Sequence, residues 1–299
     1  MRVMVSGSSG LLGTALRSHL AATGHGVVPL VRRPAGEGER RWDPDGGTVD
    51  PAVFDGIDAV VNLNGVGIGD RRLTPGRKRA ILESRVGTTT LLAAGMAGRP
   101  ERPAVFVSQS AIGYYGDAGD AVLTESSPPG TDFVADVVRQ WEEASRPAAA
   151  AGVRTVTTRT GLVLTGKGGL MGRLLLPFRL GIGGRLGSGG QWWSWVTIDD
   201  WVRAVSHLLA SDVEGPVNVT APKPVTNAEF TAALGRKLHR PTAIPLPRWA
   251  LGVVLGFERA DSLVFSSARV IPARLTADGF GFTHPDIDTA LGAVLKRFS

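Results

Sequence analysis

Near the start of the chain, Gly7-Ser8-Ser9-Gly10-Leu11-Leu12-Gly13 has the composition and spacing of a phosphate-binding turn. Its three glycines follow the apolar run Val3, Met4, Val5 and precede the helix-like segment TALRSHLAATG, which is the order strand, tight turn, helix start. Glycine suits each place, because the turn needs unrestricted φ, the backbone must approach a pyrophosphate closely, and the helix must pack tightly on its strand. The helix N-terminus then offers free N–H groups to phosphate. Arg32 and Arg33 end the next apolar run, HGVVPLVRR, about where dinucleotide folds read the adenosine ribose. An acid there would hydrogen-bond the ribose 2′-OH of NAD, but no Asp or Glu occurs between Val27 and Gly36. A guanidinium instead pairs with the 2′-phosphate of NADP in bidentate fashion, so the expected cofactor is NADP (NADPH) in preference to NAD. Asn62, Leu63, Asn64 and Gly65 close the strand DAVVNLNG where such a cofactor would pass.

Further along, Arg159 ends the run VRTVTTR and is expected to face an anionic group in the cleft. Gln191, Trp192, Trp193 and Ser194 are expected to wall a pocket for an apolar or ring-shaped substrate, with Trp195 assigned to the core. Asp199 and Asp200 precede the helix WVRAVSHLL and read as N-cap and first-turn acids rather than as a catalytic pair. Cysteine is absent, which excludes disulfides, thiolate metal sites and Cys nucleophiles. The five histidines include no pair at metal-ligand spacing, so no metal is expected.

These residues need a frame of alternating strands and helices. Strands at VMV, HGVVPLVRR, DAVVNLNG, PAVFVSQS, VRTVTTRTGLVL and GPVNVTAP are separated by helical segments, including DRRLTPGRKRAILESRVGTTTLLAAGMAG and DFVADVVRQWEEAS. In the latter, Phe133, Val137 and Trp141 recur at i, i+4, i+8. The fold class expected is α/β, a Rossmann-type doubly wound parallel sheet with right-handed crossovers and a smaller interleaved C-terminal substrate lobe. The nucleotide domain is placed at residues 1–165, completed by 190–225. The lobe is placed at 166–299, with a small C-terminal domain at about 245–299, starting where composition shifts to glycine-rich loops with large apolar residues.

At 299 residues and 43% hydrophobic, the chain has ample material for such a core. The net charge of +6 comes from dispersed arginine, which reads as a solvated surface with phosphate-binding spots, so nucleic acid is not an expected partner. No apolar run is long enough to span a bilayer, and RWALGVVLGF is expected to be a lobe helix. With a strand beginning at once and no cleavable leader pattern, the expected location is cytoplasmic.

Together, SGSSGLLG, WDPDGG, VVNLNG, ESRVGTTTLL, SQSAIGYYGD, DFVADVVRQWE, RTGLVL, PFRLGIGGRLGSGGQWWSW and VNVTAPKPVTNAEF resemble the extended short-chain dehydrogenase/reductase (SDR) superfamily. The nearest resemblance is to its atypical epimerase-like members, the NAD-dependent epimerase/dehydratase family, and RVIPARLTADGFGFTHPDIDTAL is similar to that family's small terminal domain. The resemblance implies a cofactor stretched across the carboxyl ends of the strands, with Ser108 beside it, and a possible homodimer.

The resemblance does not carry over the usual chemistry, in which a tyrosine exchanges a proton with the substrate oxygen and a lysine four residues later lowers the phenol pKa. The only tyrosines are Tyr114 and Tyr115, followed four residues on by Ala118 and Gly119, and the corresponding helix carries Phe133, Val134, Val137 and Val138. The superfamily's Asn-x-x-Gly-Thr appears as Ser84-Arg85-Val86-Gly87-Thr88, without the asparagine, and its phosphate-clamping Gln-x-Arg-Asp appears as Gln191-Trp192-Trp193-Ser194. By the resemblance, Ser110 is the first candidate to meet a substrate carbonyl and Tyr114 the second catalytic candidate, while Tyr115 is placed at the substrate pocket. The expected function is an NADP-binding epimerase or oxidoreductase acting on a small carbonyl or hydroxyl compound. The alternative is a non-catalytic NADP(H)-binding sensor or scaffold.

Overall fold

The computed structural model describes residues 1–68, 72–249, 258 and 265–297. Its strands, in chain order, are β1 (Arg2–Ser6), β2 (Gly26–Val31), β3 (Arg40–Arg41), β4 (Ala59–Asn62), β5 (Val105–Ala111), β6 (Val122–Leu123) and β7 (Arg154–Thr160). They continue as β8 (Leu162–Leu164), β9 (Trp192–Trp193), β10 (Trp195–Thr197), β11 (Gly215–Val219), β12 (Val225–Thr226) and β13 (Arg269–Val270). The helices are α1 (Leu11–Ala22), α2 (Pro75–Ala97), α3 (Phe133–Glu143), α4 (Arg146–Ala150), α5 (Gly169–Arg179), α6 (Ile198–Ala210), α7 (Asn227–Leu238), α8 (Ala273–Ala277) and α9 (Ile287–Leu295).

Seven strands form one parallel sheet in the order β3-β2-β1-β4-β5-β7-β11, the Rossmann-type architecture expected. The chain runs outward from β1 to β3 and then returns to the other side of β1 with β4. That reversal leaves a crevice above the carboxyl ends of β1 and β4, where open α/β sheets bind ligands. Strand alternation divides the apolar residues between two layers. Val3, Val5, Val61, Val107, Val156 and Val217 pack with Leu16 and Leu20 of α1 and Trp201 and Val205 of α6. Met4, Val60 and Phe106 pack with Leu92 and Met96 of α2 and Ala148 of α4.

Two elements differ from their sequence reading. VRTVTTRTGLVL is expected as one strand but breaks at Gly161, where an added Cβ would stand 2.5 Å from the Ser194 carbonyl oxygen. The chain crosses there from the main sheet into the lobe, and β8 pairs with β10. On α3 the buried stripe is Val134, Val137, Val138 and Trp141, the i, i+3, i+4, i+7 set, with Phe133 beside it.

In the lobe, Leu164, Met171, Phe178, Trp195, Phe230, Leu234 and Leu291 form a third apolar cluster. Helix α7 opens with a reciprocal capping box between Thr226 and Glu229. The N-cap of α6 is Thr197, and both acids lie in its first turn. Asp200 accepts from the backbone N–H groups of Thr283 and His284, and Asp199 pairs with Arg297, so these acids tie the C-terminal segment down. The lobe helix expected over RWALGVVLGF falls mainly on 250–257, outside the described residues. Among the described residues, no helix is long and apolar enough to cross a membrane.

Candidate functional site

The turn after β1 is built as tightly as its glycines suggest. Gly7 has φ +67°, and a Cβ on it would meet the Leu63 carbonyl oxygen at 2.7 Å. A Cβ on Gly13 would meet the Gly7 oxygen at 2.3 Å, so the start of α1 rests directly on the turn. Gly10 differs: its nearest prospective neighbour is the Gly7 oxygen at 3.4 Å, and its φ is an ordinary −71°. Gly7 and Gly13 therefore serve the fold, whereas Gly10 keeps one side of the turn open. No side chain caps α1, so its first N–H groups are left without a side-chain partner.

A cleft of about 660 Å³ lies over the switch point. Gly7, Ser9, Gly10, Arg32, Leu63, Asn64 and Gly65 form one side of it, and Ser84, Gly87 and Thr88 of α2 form the other. Ser8 is buried, while Leu11 and Leu12 begin α1. A hydrogen-bonded knot fixes the rim: the Ser6 hydroxyl donates to Asn62 Oδ1 at 2.8 Å, and the Asn64 amide donates to Ser6 Oγ and Asn62 Oδ1, each at 2.8 Å. The Asn62 amide donates onward to Thr89 Oγ1 at 2.8 Å. The two arginines part company. Arg33 is held by Glu39 in a bidentate pair, both contacts 2.7 Å, whereas Arg32 lines the cleft and forms no ion pair among the described residues.

Ser108, Ser110 and Arg159 are not among the residues that line this cleft. Parity in β5 turns Ser108 and Ser110 to the same face as Phe106, beneath the α2 and α3 layer. Ser110 is 1% exposed and donates to Glu142 Oε1 at 2.6 Å, so the hydroxyl expected to meet a substrate is committed to a carboxylate. Register sets Ser110, Arg159 and Asn218 in one row across β5, β7 and β11. Arg159 donates to both oxygens of Glu142 at 2.8 Å and to Tyr115 Oη at 3.1 Å, and it stacks 3.4 Å from the Tyr114 ring centroid. Although burial opposes its charge, the Glu142 carboxylate holds the guanidinium pKa above its ordinary value. The Tyr115 hydroxyl donates to Asn218 Oδ1 at 2.7 Å, and burial raises its pKa.

Both tyrosines therefore buttress an ion pair. Where the resemblance would place a phenol and an ammonium, α3 carries Phe133, Val134, Val137 and Val138, the three valines buried, and Gly113 is pressed so closely that a Cβ would stand 2.6 Å from Val134 Cγ1.

The tryptophan segment also divides. Trp193 packs on Phe230 with ring centroids 5.2 Å apart and joins the lobe core, and Ser194 is fully buried against the backbone of Ala268 and Val270. Trp195 is buried as expected, and the Gln191 amide donates to the Leu186 carbonyl. Trp192 alone of the three tryptophans keeps partial exposure, with Arg269 over its ring at 4.2 Å and its indole N–H on Asp120. The period of two across β9 sends the neighbouring rings to opposite sides.

A larger groove, about 910 Å³, opens beside the amino ends of β7 and β11, among Arg139, Arg146, Arg154 and Arg274. It lies away from the glycine turn and switch point, so its volume does not make it the dinucleotide site. Sequence reasoning passed over Glu142 and Arg85. Glu142 follows Val134 and Val138 at two helical turns and one, and Arg85 falls between Ile81 and Thr89 on the buried stripe of α2, spacings that place both on inward faces.

The sequence matches the NAD dependent epimerase/dehydratase family over residues 3–220 and a domain of unknown function (DUF1731) over 246–294. An epimerase family protein of Mycobacterium tuberculosis is 43% identical over 297 residues, covering 99% of this chain and 98% of the relative. The human epimerase family protein SDR39U1 is 40% identical over 301 residues, covering 99% of each. The crystal structure of human SDR39U1 (isoform 2) with NADPH superposes with a TM-score of 0.90 at 38% identity, again covering 99% of each chain.

Proposed function

This chain belongs to the NAD dependent epimerase/dehydratase family, and on that premise we propose that it is an NADP(H)-dependent oxidoreductase or epimerase-like enzyme acting on a small carbonyl or hydroxyl compound. The observation that carries the reading is the switch-point cleft, with the open side of the glycine turn at one wall and, lining it, Arg32, which forms no ion pair among the described residues. The relative solved with NADPH supports the same cofactor. Gly10 and the first N–H groups of α1 would receive the pyrophosphate, Asn64 and Gly65 would border the dinucleotide, and Arg32 would pair with the 2′-phosphate. A bound nicotinamide supplies hydride chemistry. The protein's own part is to hold it against β4 and β5 without a tyrosine-lysine pair, so any proton must come from another donor or from water.

Arg32→Glu tests the cofactor assignment. A charge-assisted contact to the 2′-phosphate is worth about 1.5–3 kcal/mol, so NADPH affinity should fall roughly 10- to 100-fold, read by nicotinamide fluorescence, while NADH affinity rises or stays level. Equal losses for both dinucleotides would refute the assignment.

The apolar set Phe133, Val134, Val137 and Val138 on the helix that would carry a phenol and an ammonium favours a second reading, a non-catalytic NADP(H) sensor. A broad panel of carbonyl compounds with NADPH separates the two: reproducible turnover supports the enzyme, and tight NADPH binding without turnover supports the sensor.

A further inference from the structure

Arg85 is 8% exposed, yet no carboxylate lies within ion-pair distance of it among the described residues. One guanidinium nitrogen donates to the Ile81 carbonyl of its own helix at 3.1 Å, and Nε is buried without a partner. The guanidinium lies 5.1 Å from the Trp141 ring centroid. Gly65 also packs against it: a Cβ there would stand 3.1 Å from Arg85 Cζ, so glycine lets the cleft rim lie close to this charge.

Burial, reinforced by the neighbouring Arg77, pulls its pKa down to about 10, which still leaves it cationic at neutral pH. The same region holds another unanswered group. Ser108 Oγ is buried without a partner; its residue stands opposite Asn62 in the sheet, and the Asn62 amide and the Trp141 indole both donate to Thr89, one turn beyond Arg85.

A buried charge without a counter-ion costs free energy, and removing the charge often stabilises a fold. Among the described residues, the fold supplies Arg85 with a flat aromatic ring, a glycine rim and one backbone carbonyl, but no anion. We propose that Arg85 receives a carboxylate of the substrate, which enters beside Gly65 at the edge of the cofactor cleft, so that the substrates are small oxo or hydroxy acids. This rests on the enzyme reading above and narrows its substrate class. A single guanidinium fork against an indole matches a planar monoanion, whose two oxygens take parallel N–H donors.

The test is thermal unfolding of the protein, with and without NADPH, in pyruvate, phenylpyruvate, pyruvamide or inorganic phosphate at constant ionic strength. The two carboxylates should raise Tm by about 2 °C or more, a shift that follows from ligand at several times its Kd. Pyruvamide and phosphate should not. Arg85→Met should abolish the carboxylate shift, leave NADPH affinity within about threefold, and give an apo Tm equal to or above that of the wild type. Arg85→Lys keeps the charge without the fork and should lose at least half the shift. A carboxylate shift that persists in Arg85→Met, a shift by phosphate alone, or a Met variant that fails to fold would overturn the proposal. So would a tenfold loss of NADPH affinity, which would give Arg85 to the cofactor. If NADPH fails to bind the wild type, the enzyme reading falls, while the series without NADPH still decides whether Arg85 takes a carboxylate.

Discussion

Replacing Glu142 with alanine removes the only carboxylate paired with Arg159 among the described residues; the arginine side chain is 3% exposed. Loss of one partner of a buried pair costs about 3–5 kcal/mol, because the remaining charge keeps its desolvation penalty. Here Arg159 would retain Tyr115 Oη, the Glu125 carbonyl and the face of Tyr114, which hold the guanidinium without neutralising it. Those contacts place Glu142→Ala at the low end, about 3 kcal/mol. With each kcal/mol worth about 2–4 °C in a protein of this size, Tm should fall by about 6–12 °C in a calorimetric scan. The glycine turn is not part of this network, so NADPH affinity should stay within about threefold of wild type. Ser110→Ala, which deletes one charge-assisted hydrogen bond, should cost about 1–2 kcal/mol by urea titration. A Glu142→Ala protein that melts within about 2 °C of wild type but has lost NADPH binding would refute the structural role and would make Ser110 and Arg159 ligand contacts.

The glycine turn yields a contrasting pair. Gly13→Ala forces a Cβ to 2.3 Å from the Gly7 oxygen, and that overpacking should cost about 1–3 kcal/mol in urea; Gly10→Ala should leave stability within about 0.5 kcal/mol while weakening NADPH at least tenfold, and unchanged NADPH affinity in Gly10→Ala would count against phosphate binding at the turn. His19 has its pKa lowered by burial and by Arg203, so the unfolded chain takes up its proton first as pH falls below 6.5. Its contribution is complete above that pH and is lost as pH falls through the lower folded value, so His19→Asn should flatten the decline of stability with acid, measured by denaturation at pH 7 and pH 5.

Gly7 and Gly13 were legible because steric need is local: one turn, one strand and one helix decide which positions cannot carry a Cβ. The parallel order was legible because each apolar strand is followed by a helical segment. Arg32 and Arg33 looked equivalent until the chain turned back and brought Glu39 onto one of them. Ser110 was harder, since Val105, Phe106 and Val107 are all apolar and both faces of β5 are buried, which erases the alternation that would reveal where a serine points. Trp193 reads as a pocket wall until β9 pairs with β12 and sends its ring inward onto Phe230. Arg85 was hidden by its charge: on α2 it occupies a position of the buried stripe that sequence pattern alone gives to an apolar residue.

The crossing at Gly161 has a consequence for how this protein can be taken apart. Within eleven consecutive residues, Arg154–Leu164, the chain passes from an interior strand of the main sheet to lobe structure, and it later returns to lay β11 beside β7. A cut at that point would leave the amino-terminal fragment with β7 as a raw hydrogen-bonding edge and without α6 to cover its valines. The two halves are thus woven rather than appended, and a fragment ending at the glycine would be a template for aggregation rather than a small nucleotide-binding protein.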